Sequence, residues 1–149
     1  CAVLTPHAGE FERLYAATLG RELDLSKGLG VRLRELSDAL DCFILHKGRI
    51  TTVTAPGQKI YGMNAGHSYA ATAGSGDVLS GILGATLAQV DAAEADAETI
   101  TMEILHATAI HQHAAAIAAH TPDGFGLCSA SQIAAAVPQA IARLLVMQR

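Results

Sequence analysis

There is no tryptophan among the 149 residues, and three Phe and three Tyr hold the aromatic share to 4%. The apolar half of the chain is rich in alanine instead, and with a mean hydropathy of +0.30 it is too hydrophobic for a disordered polypeptide. A compact, helix-rich globular protein is expected. Positive charge is also short: ten Lys plus Arg against fourteen Asp plus Glu give a formal net charge of −4. No cationic excess is present to neutralise a nucleic-acid backbone, which speaks against a nucleic-acid partner. Long apolar runs are missing too. The stretch Val78 to Val90 is interrupted by Ser, Gly and Gln, and a membrane helix needs about 20 apolar residues, so no membrane partner is expected. Cysteine is limited to Cys1, Cys42 and Cys128. They form no ligand-like cluster and their odd number does not suggest a secreted disulfide framework, so reduced thiols in a cytoplasmic protein are the expectation.

The length suits one domain. The first residue is Cys and the chain enters a strand-like run at once, Cys1-Ala2-Val3-Leu4. We therefore expect a piece of a longer polypeptide, with any targeting segment lying upstream. Thr5-Pro6 ends the run, and Phe11, Leu14, Tyr15 and Leu19 then recur at helical spacing. Val31, Leu33, Leu36 and Leu40 predict a second helix. Cys42 to Leu45 reads as a strand buried on both faces of a parallel sheet. The β-branched run Ile50 to Thr54, the turn signal Pro56-Gly57 and Lys59-Ile60-Tyr61 predict further strands. Beyond Ser75 the chain reads as helix over Gly76 to Gln89, about Ala95 to Ala119, and Ser131 to Met147, where Pro138 predicts a kink or a break. The expected class is α/β, helices flanking a mostly parallel sheet.

The segment Ala73-Gly74-Ser75-Gly76-Asp77-Val78 carries the strongest chemical signal. Gly74 and Gly76 allow a ligand to approach the backbone closely. The helix start supplies unpaired N–H donors and a positive dipole end, together a plausible anion hole at Gly74, Ser75 and Gly76. Asp77 in the first turn is explained either by the helix dipole or by a role in accepting a proton from a hydroxyl. The Walker pattern GxxxxGK[ST] is absent, and Gly74-Ser75-Gly76 does not extend to a dinucleotide fingerprint.

Lys47, before Gly48, stands at the carboxyl end of a strand, the edge where open α/β sheets bind ligands. It reads either as a phosphate partner or as a solvated lysine. His7 occupies the loop after the first strand, at the same kind of edge, with Glu10 opening the following helix; capping explains both equally well. His106, His113 and His120 are spaced by sevens, about 10.5 Å apart along a helix, too far to share one metal ion.

Taken in order, Thr5-Pro6-His7-Ala8-Gly9-Glu10, Lys47-Gly48-Arg49-Ile50-Thr51 and Ala73-Gly74-Ser75-Gly76-Asp77-Val78-Leu79-Ser80-Gly81 resemble the ADP/ATP-dependent NAD(P)H-hydrate dehydratase family of the ribokinase-like superfamily. The resemblance covers nearly the whole chain but only about the C-terminal half of the family's domain, so residues 1–149 are expected to be the C-terminal portion of one ribokinase-like domain. It implies repair of hydrated nicotinamide cofactor: a nucleotide, ADP in most bacterial members, phosphorylates the hydrate's hydroxyl, and loss of phosphate returns NADH or NADPH. It further implies that His7 and Asp77 contact the hydrate and that Asp77 takes the hydroxyl proton. Lys47, Gly48, Arg49, Ile50, Thr51 and Gly76 would line the adenine nucleotide, while backbone amides from Gly74 to Gly76 stabilise the transferred phosphoryl group. Mg2+ is expected from this chemistry, although no carboxylate cluster presents itself as its ligands.

One departure is Gly66-His67-Ser68-Tyr69-Ala70-Ala71, where family members often carry Asn-Pro-Gly-Met or similar. A related kinase acting on a vitamin-precursor alcohol is the alternative enzyme reading. A non-catalytic half-domain that binds nucleotide or a partner through an open sheet edge is the alternative of another class. Self-association, or association with the missing N-terminal half, is expected.

Overall fold

The structure is a computed structural model that describes residues 2–64, 68–91 and 94–147. The chain divides into two compact units, Cys1–Asn64 with Glu94–Met102, and Ala65–Ala93 with Glu103–Arg149.

In the first unit, β1 (Val3–Leu4) leads through a loop into α1 (Ala8–Leu19). The helix starts where it does because His7 and Glu10 form a reciprocal capping box. It stops at Gly20, whose φ of 65° places it in the left-handed region while its N–H donates to Ala16 O at 3.0 Å. Phe11 and Tyr15, four apart and so on one face, are buried against Leu33 and Leu36 of α2 (Leu29–Leu40) and Ile44 of β2 (Phe43–His46). Burying each such side chain is worth about 1.5–3 kcal/mol.

The Tyr15 hydroxyl donates to Glu35, which also receives Lys27 Nζ at 2.6 Å and Arg21 Nη2 at 3.0 Å. The Lys27 and Tyr15 hydrogen bonds hold the Glu35 carboxyl below its usual range. A carboxylate whose folded pKa is depressed contributes stability above its unfolded pKa and loses it as pH falls through the folded value. Glu35→Gln is therefore expected to lower the melting temperature near neutral pH, with the gap to wild type closing as the solution is acidified through the carboxylate range. A gap independent of pH would contradict this.

Strands β1, β2 (Phe43–His46), β3 (Ile50–Thr54) and β4 (Tyr61–Asn64) form one sheet in chain order. Only β1–β2 is parallel, with Val3 opposite Phe43. β2–β3 and β3–β4 are antiparallel, with Leu45 opposite Val53 and Thr51 opposite Met63. The expectation of a mostly parallel sheet is thus corrected to a mixed one for these strands. Residues 47–49 and 55–60 are connections far below the dozen or so residues that a parallel crossover needs.

Among the described residues, the regular structure of the second unit is helical apart from a short antiparallel pair, β5 (His120–Thr121) and β6 (Gly124–Phe125). It holds α3 (Ser75–Leu87), α4 (Ala97–Ala119) from Glu103 onward, and α5 (Ala130–Met147). Buried Leu79, Leu83, Ile110, Ala114, Ala115, Ile133, Ala136 and Ala140 make its core. The small side chains allow close helix approach where the sequence has few aromatics to fill space. α5 continues past Pro138, so of the kink or break expected there the break does not occur. Pro138 and Ala134, whose carbonyl loses its helical donor, are both exposed. His120 lies one residue beyond α4, in β5, and so does not share the helix face with His106 and His113.

Candidate functional site

In the first unit, His7, Glu10 and Lys47 come together. Parallel pairing of β1 with β2 continues one step into a bridge between His7 and Lys47, whose N–H donates to Pro6 O at 2.8 Å. The His7 N–H donates to Glu10 Oε2 at 2.8 Å, and the Glu10 N–H donates to His7 Nδ1 at 3.3 Å. His7 Nε2 lies 3.4 Å from Glu10 Oε1, and Lys47 Nζ 3.7 Å from Glu10 Oε2. The His7 N–H chiefly, and the nearby charges of Lys47, His7 and Arg13, hold the Glu10 carboxyl below its usual range. Glu10 is therefore an anion that restrains an imidazole and an ammonium group, each still partly open to solvent. Gly48 and Arg49 are exposed at the turn that follows. Ile50 is exposed at the start of β3, and Thr51 beside it is buried, as is the rest of the strand.

In the second unit, Gly74 starts α3 with φ 82°, and a Cβ there would lie 3.1 Å from Ala130 Cβ. Both the backbone conformation and the neighbouring helix therefore require glycine. The carbonyl of Gly74 accepts the N–H groups of Asp77 at 3.1 Å and Val78 at 3.3 Å, and Thr72 O accepts the Ser75 N–H at 3.1 Å. Among the described residues, the Gly76 N–H is left without a partner, as the second amide of a helix start should be. Asp77 is exposed in the same turn. An unpaired donor and a carboxylate thus stand side by side at the positive end of a helix dipole, an arrangement suited to receiving a phosphoryl group and a hydroxyl proton.

Two histidines that sequence reasoning did not single out are buried. His46 ends the apolar strand β2, packs edge-on against Phe11 at 5.4 Å and leaves Nδ1 without a partner among the described residues. Burial first, then the charges of Arg32 and His7, push its pKa down. His111, on α4, places Nε2 3.1 Å from the Ser75 carbonyl and 3.0 Å from Ser75 Oγ, with Nδ1 buried and without a partner among the described residues. Its pKa is pushed down by burial, against a smaller upward effect of the Ser75 carbonyl. The signal for His111 was slight: one more histidine in an Ala-rich helix, 36 residues from its partner.

His106 faces Glu103 at 3.7 Å and His113 Nδ1 lies 3.0 Å from Ala109 O. Among the described residues no group of three or more His, Cys, Asp or Glu is placed to hold a metal ion. The donor set does not fit a protein-built Mg2+ site; Asp77 is a single exposed carboxylate. The departure at Gly66-His67-Ser68-Tyr69-Ala70-Ala71 is described only from Ser68, where a short 3-10 turn, Ser68–Ala70, begins; Gly66 and His67 lie outside the described residues. No described helix is long and apolar enough to cross a membrane.

Solved structures place the fold. The chain is similar to an ADP/ATP-dependent NAD(P)H-hydrate dehydratase from Bacillus subtilis, co-crystallised with ATP/Mg2+ (TM-score 0.68, 22% identity, 95% of this chain and 47% of that one). It is also similar to a ribokinase-like superfamily protein from Enterococcus faecalis (TM-score 0.65, 23% identity, 95% of this chain and 44% of that one). The fold is therefore ribokinase-like. Sequence narrows the assignment. The Carb_kinase family model, described as NAD(P)H-hydrate dehydratase, matches residues 1–135, and the chain belongs to that family. It is 40% identical over 158 residues to the bifunctional NAD(P)H-hydrate repair enzyme Nnr of Corynebacterium glutamicum, covering 95% of this chain and 27% of that protein. It is 37% identical over 87 residues to an ADP-dependent (S)-NAD(P)H-hydrate dehydratase of Neisseria meningitidis, covering 58% of this chain and 28% of that protein. The chain thus spans about half the length of the solved structures and about a quarter of these curated relatives.

Proposed function

We propose that the protein carrying this chain dehydrates (6S)-NAD(P)H-hydrate at the expense of a nucleotide, ADP giving AMP and phosphate, and so returns NADH or NADPH to use. The observation that carries this reading is the family match through the α3 turn, where Asp77 is exposed beside the unpartnered Gly76 N–H. Asp77 takes the proton of the hydrate's hydroxyl as its oxygen attacks the terminal phosphorus. The new O–P bond forms as the bond to the leaving AMP oxygen breaks. The Gly76 N–H, with the Gly74 and Ser75 backbone around it, offsets the charge that spreads over the phosphoryl oxygens. The phosphate ester is a far better leaving group than hydroxide. Its C–O bond then breaks as a proton leaves the neighbouring carbon, and the ring double bond is restored.

Lys47 is assigned to the nucleotide, with Gly48, Arg49, Ile50 and Thr51 lining it, and His7 to the hydrate. Glu10 sets the positions of Lys47 and His7 from its place between them. Mg2+ is expected to arrive with the nucleotide phosphates, to which it supplies charge neutralisation, and no step above runs through it. We read residues 1–149 as the C-terminal part of one ribokinase-like domain whose remainder, or a second copy of the chain, associates with it. We read the protein as cytoplasmic.

Lys47→Ala is expected to weaken ADP binding by about tenfold in a calorimetric titration, the order of one charge-assisted contact; an unchanged affinity would return Lys47 to the role of a surface lysine. The reaction itself is tested by phosphorus NMR of the longest natural polypeptide containing this chain. AMP and inorganic phosphate should accumulate from ADP only when the hydrate is present. A stable phosphorylated small alcohol, with no turnover of the hydrate, would reassign the protein to an alcohol kinase.

A further inference from the structure

We propose that His111 is a positioning residue for phosphoryl transfer, acting through the peptide unit that joins Ser75 to Gly76; this rests on the reaction assigned above.

A carbonyl oxygen can only accept, so the 3.1 Å contact between His111 Nε2 and Ser75 O fixes the proton on Nε2. The same N–H is shared with Ser75 Oγ at 3.0 Å, which leaves the serine's own hydroxyl proton free to donate elsewhere. Nδ1 then carries a lone pair, and it is buried without a partner among the described residues. A buried imidazole with one idle nitrogen costs stability that a leucine would not. Packing alone is therefore a poor account of it.

The Ser75 carbonyl and the Gly76 N–H belong to one planar peptide unit and point in opposite directions. Holding the oxygen end holds the nitrogen end. The Gly76 N–H is a donor in this turn that no described residue occupies, so the imidazole is bonded to the far end of the dipole that faces an incoming phosphoryl group. Within α3 the Ser75 carbonyl already accepts an N–H one turn on, while the Gly76 N–H end of the peptide unit has no intrahelical partner. His111 adds a second restraint on the oxygen end, from a second helix. Donation to the carbonyl also polarises the peptide and strengthens its N–H as a donor. Since the charge on the phosphoryl oxygens is redistributed in the transition state, the effect belongs in kcat more than in KM.

The test compares His111→Gln with His111→Asn in the longest natural polypeptide containing this chain. Glutamine puts its amide nitrogen about where Nε2 stands, whereas asparagine stops near Nδ1, so both stay polar and only one reaches Ser75. With ADP and NADH-hydrate, His111→Gln should keep kcat within about threefold of wild type and His111→Asn should lose at least about tenfold, the scale seen for outer-shell positioning groups. The KM for ADP should stay within about twofold in both. The order parameter of the Gly76 amide, read by 15N NMR relaxation without any substrate, should be lower in the asparagine variant than in the glutamine variant. Equal kcat in the two folded variants, whether both retained or both lost, would overturn the proposal. So would equal Gly76 order parameters in the two folded variants. A wild-type protein inactive on the hydrate would instead refute the assigned reaction, with the order-parameter measurement still judging the His111 restraint.

Discussion

Asp77→Asn is expected to lower hydrate turnover by about 10²–10⁴-fold, the range that a positioned general base contributes, while ADP affinity changes by no more than about twofold. Asparagine keeps the size and the hydrogen-bonding reach of the side chain but cannot take the hydroxyl proton. Asp77 is exposed at the first turn of α3 and supports no buried network, so the fold should tolerate the change. Loss of the carboxylate from a helix N-terminus costs about 0.3–1 kcal/mol, too little to abolish activity by unfolding. Rapid-quench measurement of the phosphoryl-transfer step, with the melting temperature recorded alongside, separates the two effects. A variant with near-normal transfer would remove Asp77 from the chemistry and leave it a dipole-compensating residue.

The second large effect is expected from Gly74→Ala. A residue with a Cβ held at φ 82° costs about 1–3 kcal/mol, and the new methyl would sit 3.1 Å from Ala130 Cβ at the start of α5. The turn escapes only by moving, and its carbonyl anchors the N–H groups of both Asp77 and Val78. We expect a lower melting temperature together with at least a tenfold or so loss of turnover, because a displaced helix start carries Gly76 and Asp77 with it. Gly81→Ala is the control. It lies in the same helix with nothing within 4 Å of its added Cβ, and should be neutral or stabilising by up to about 1 kcal/mol. Equal behaviour of the two variants would show that the shape of the Gly74 turn does not matter.

What could be read in advance follows from how local each signal is. Phe11, Leu14, Tyr15 and Leu19 announce α1 because helical period is written within four residues, and α1 occupies Ala8–Leu19. Gly74-Ser75-Gly76-Asp77 announces a helix start because its glycine requirement and its first-turn acid are both local. Strand direction is different. Cys42 to Leu45 reads as a strand of a parallel sheet, and β2 is indeed parallel to β1, a partner some forty residues earlier, but the short connection at 47–49 makes it antiparallel to β3. The gathering of His7, Glu10 and Lys47 was legible only as three features at one sheet edge; that Glu10 ties the other two together depends on rotamers. His111 was illegible, since no spacing rule links a histidine in mid-helix to a serine 36 residues away. Pro138 is the reverse case: a strong local signal for a kink or a break, past which the helix nevertheless continues, with Ile133, Ala136 and Ala140 on the buried side of α5.

The central claim is the reaction, and its most direct test is return of reduced-nicotinamide absorbance from the (6S)-hydrate. The assay would add ADP to the longest natural polypeptide containing this chain, with the Asp77→Asn form run in parallel. The account predicts full recovery of the absorbance with stoichiometric AMP, and almost none with the variant. A folded, nucleotide-binding wild-type protein that leaves the hydrate untouched would contradict it.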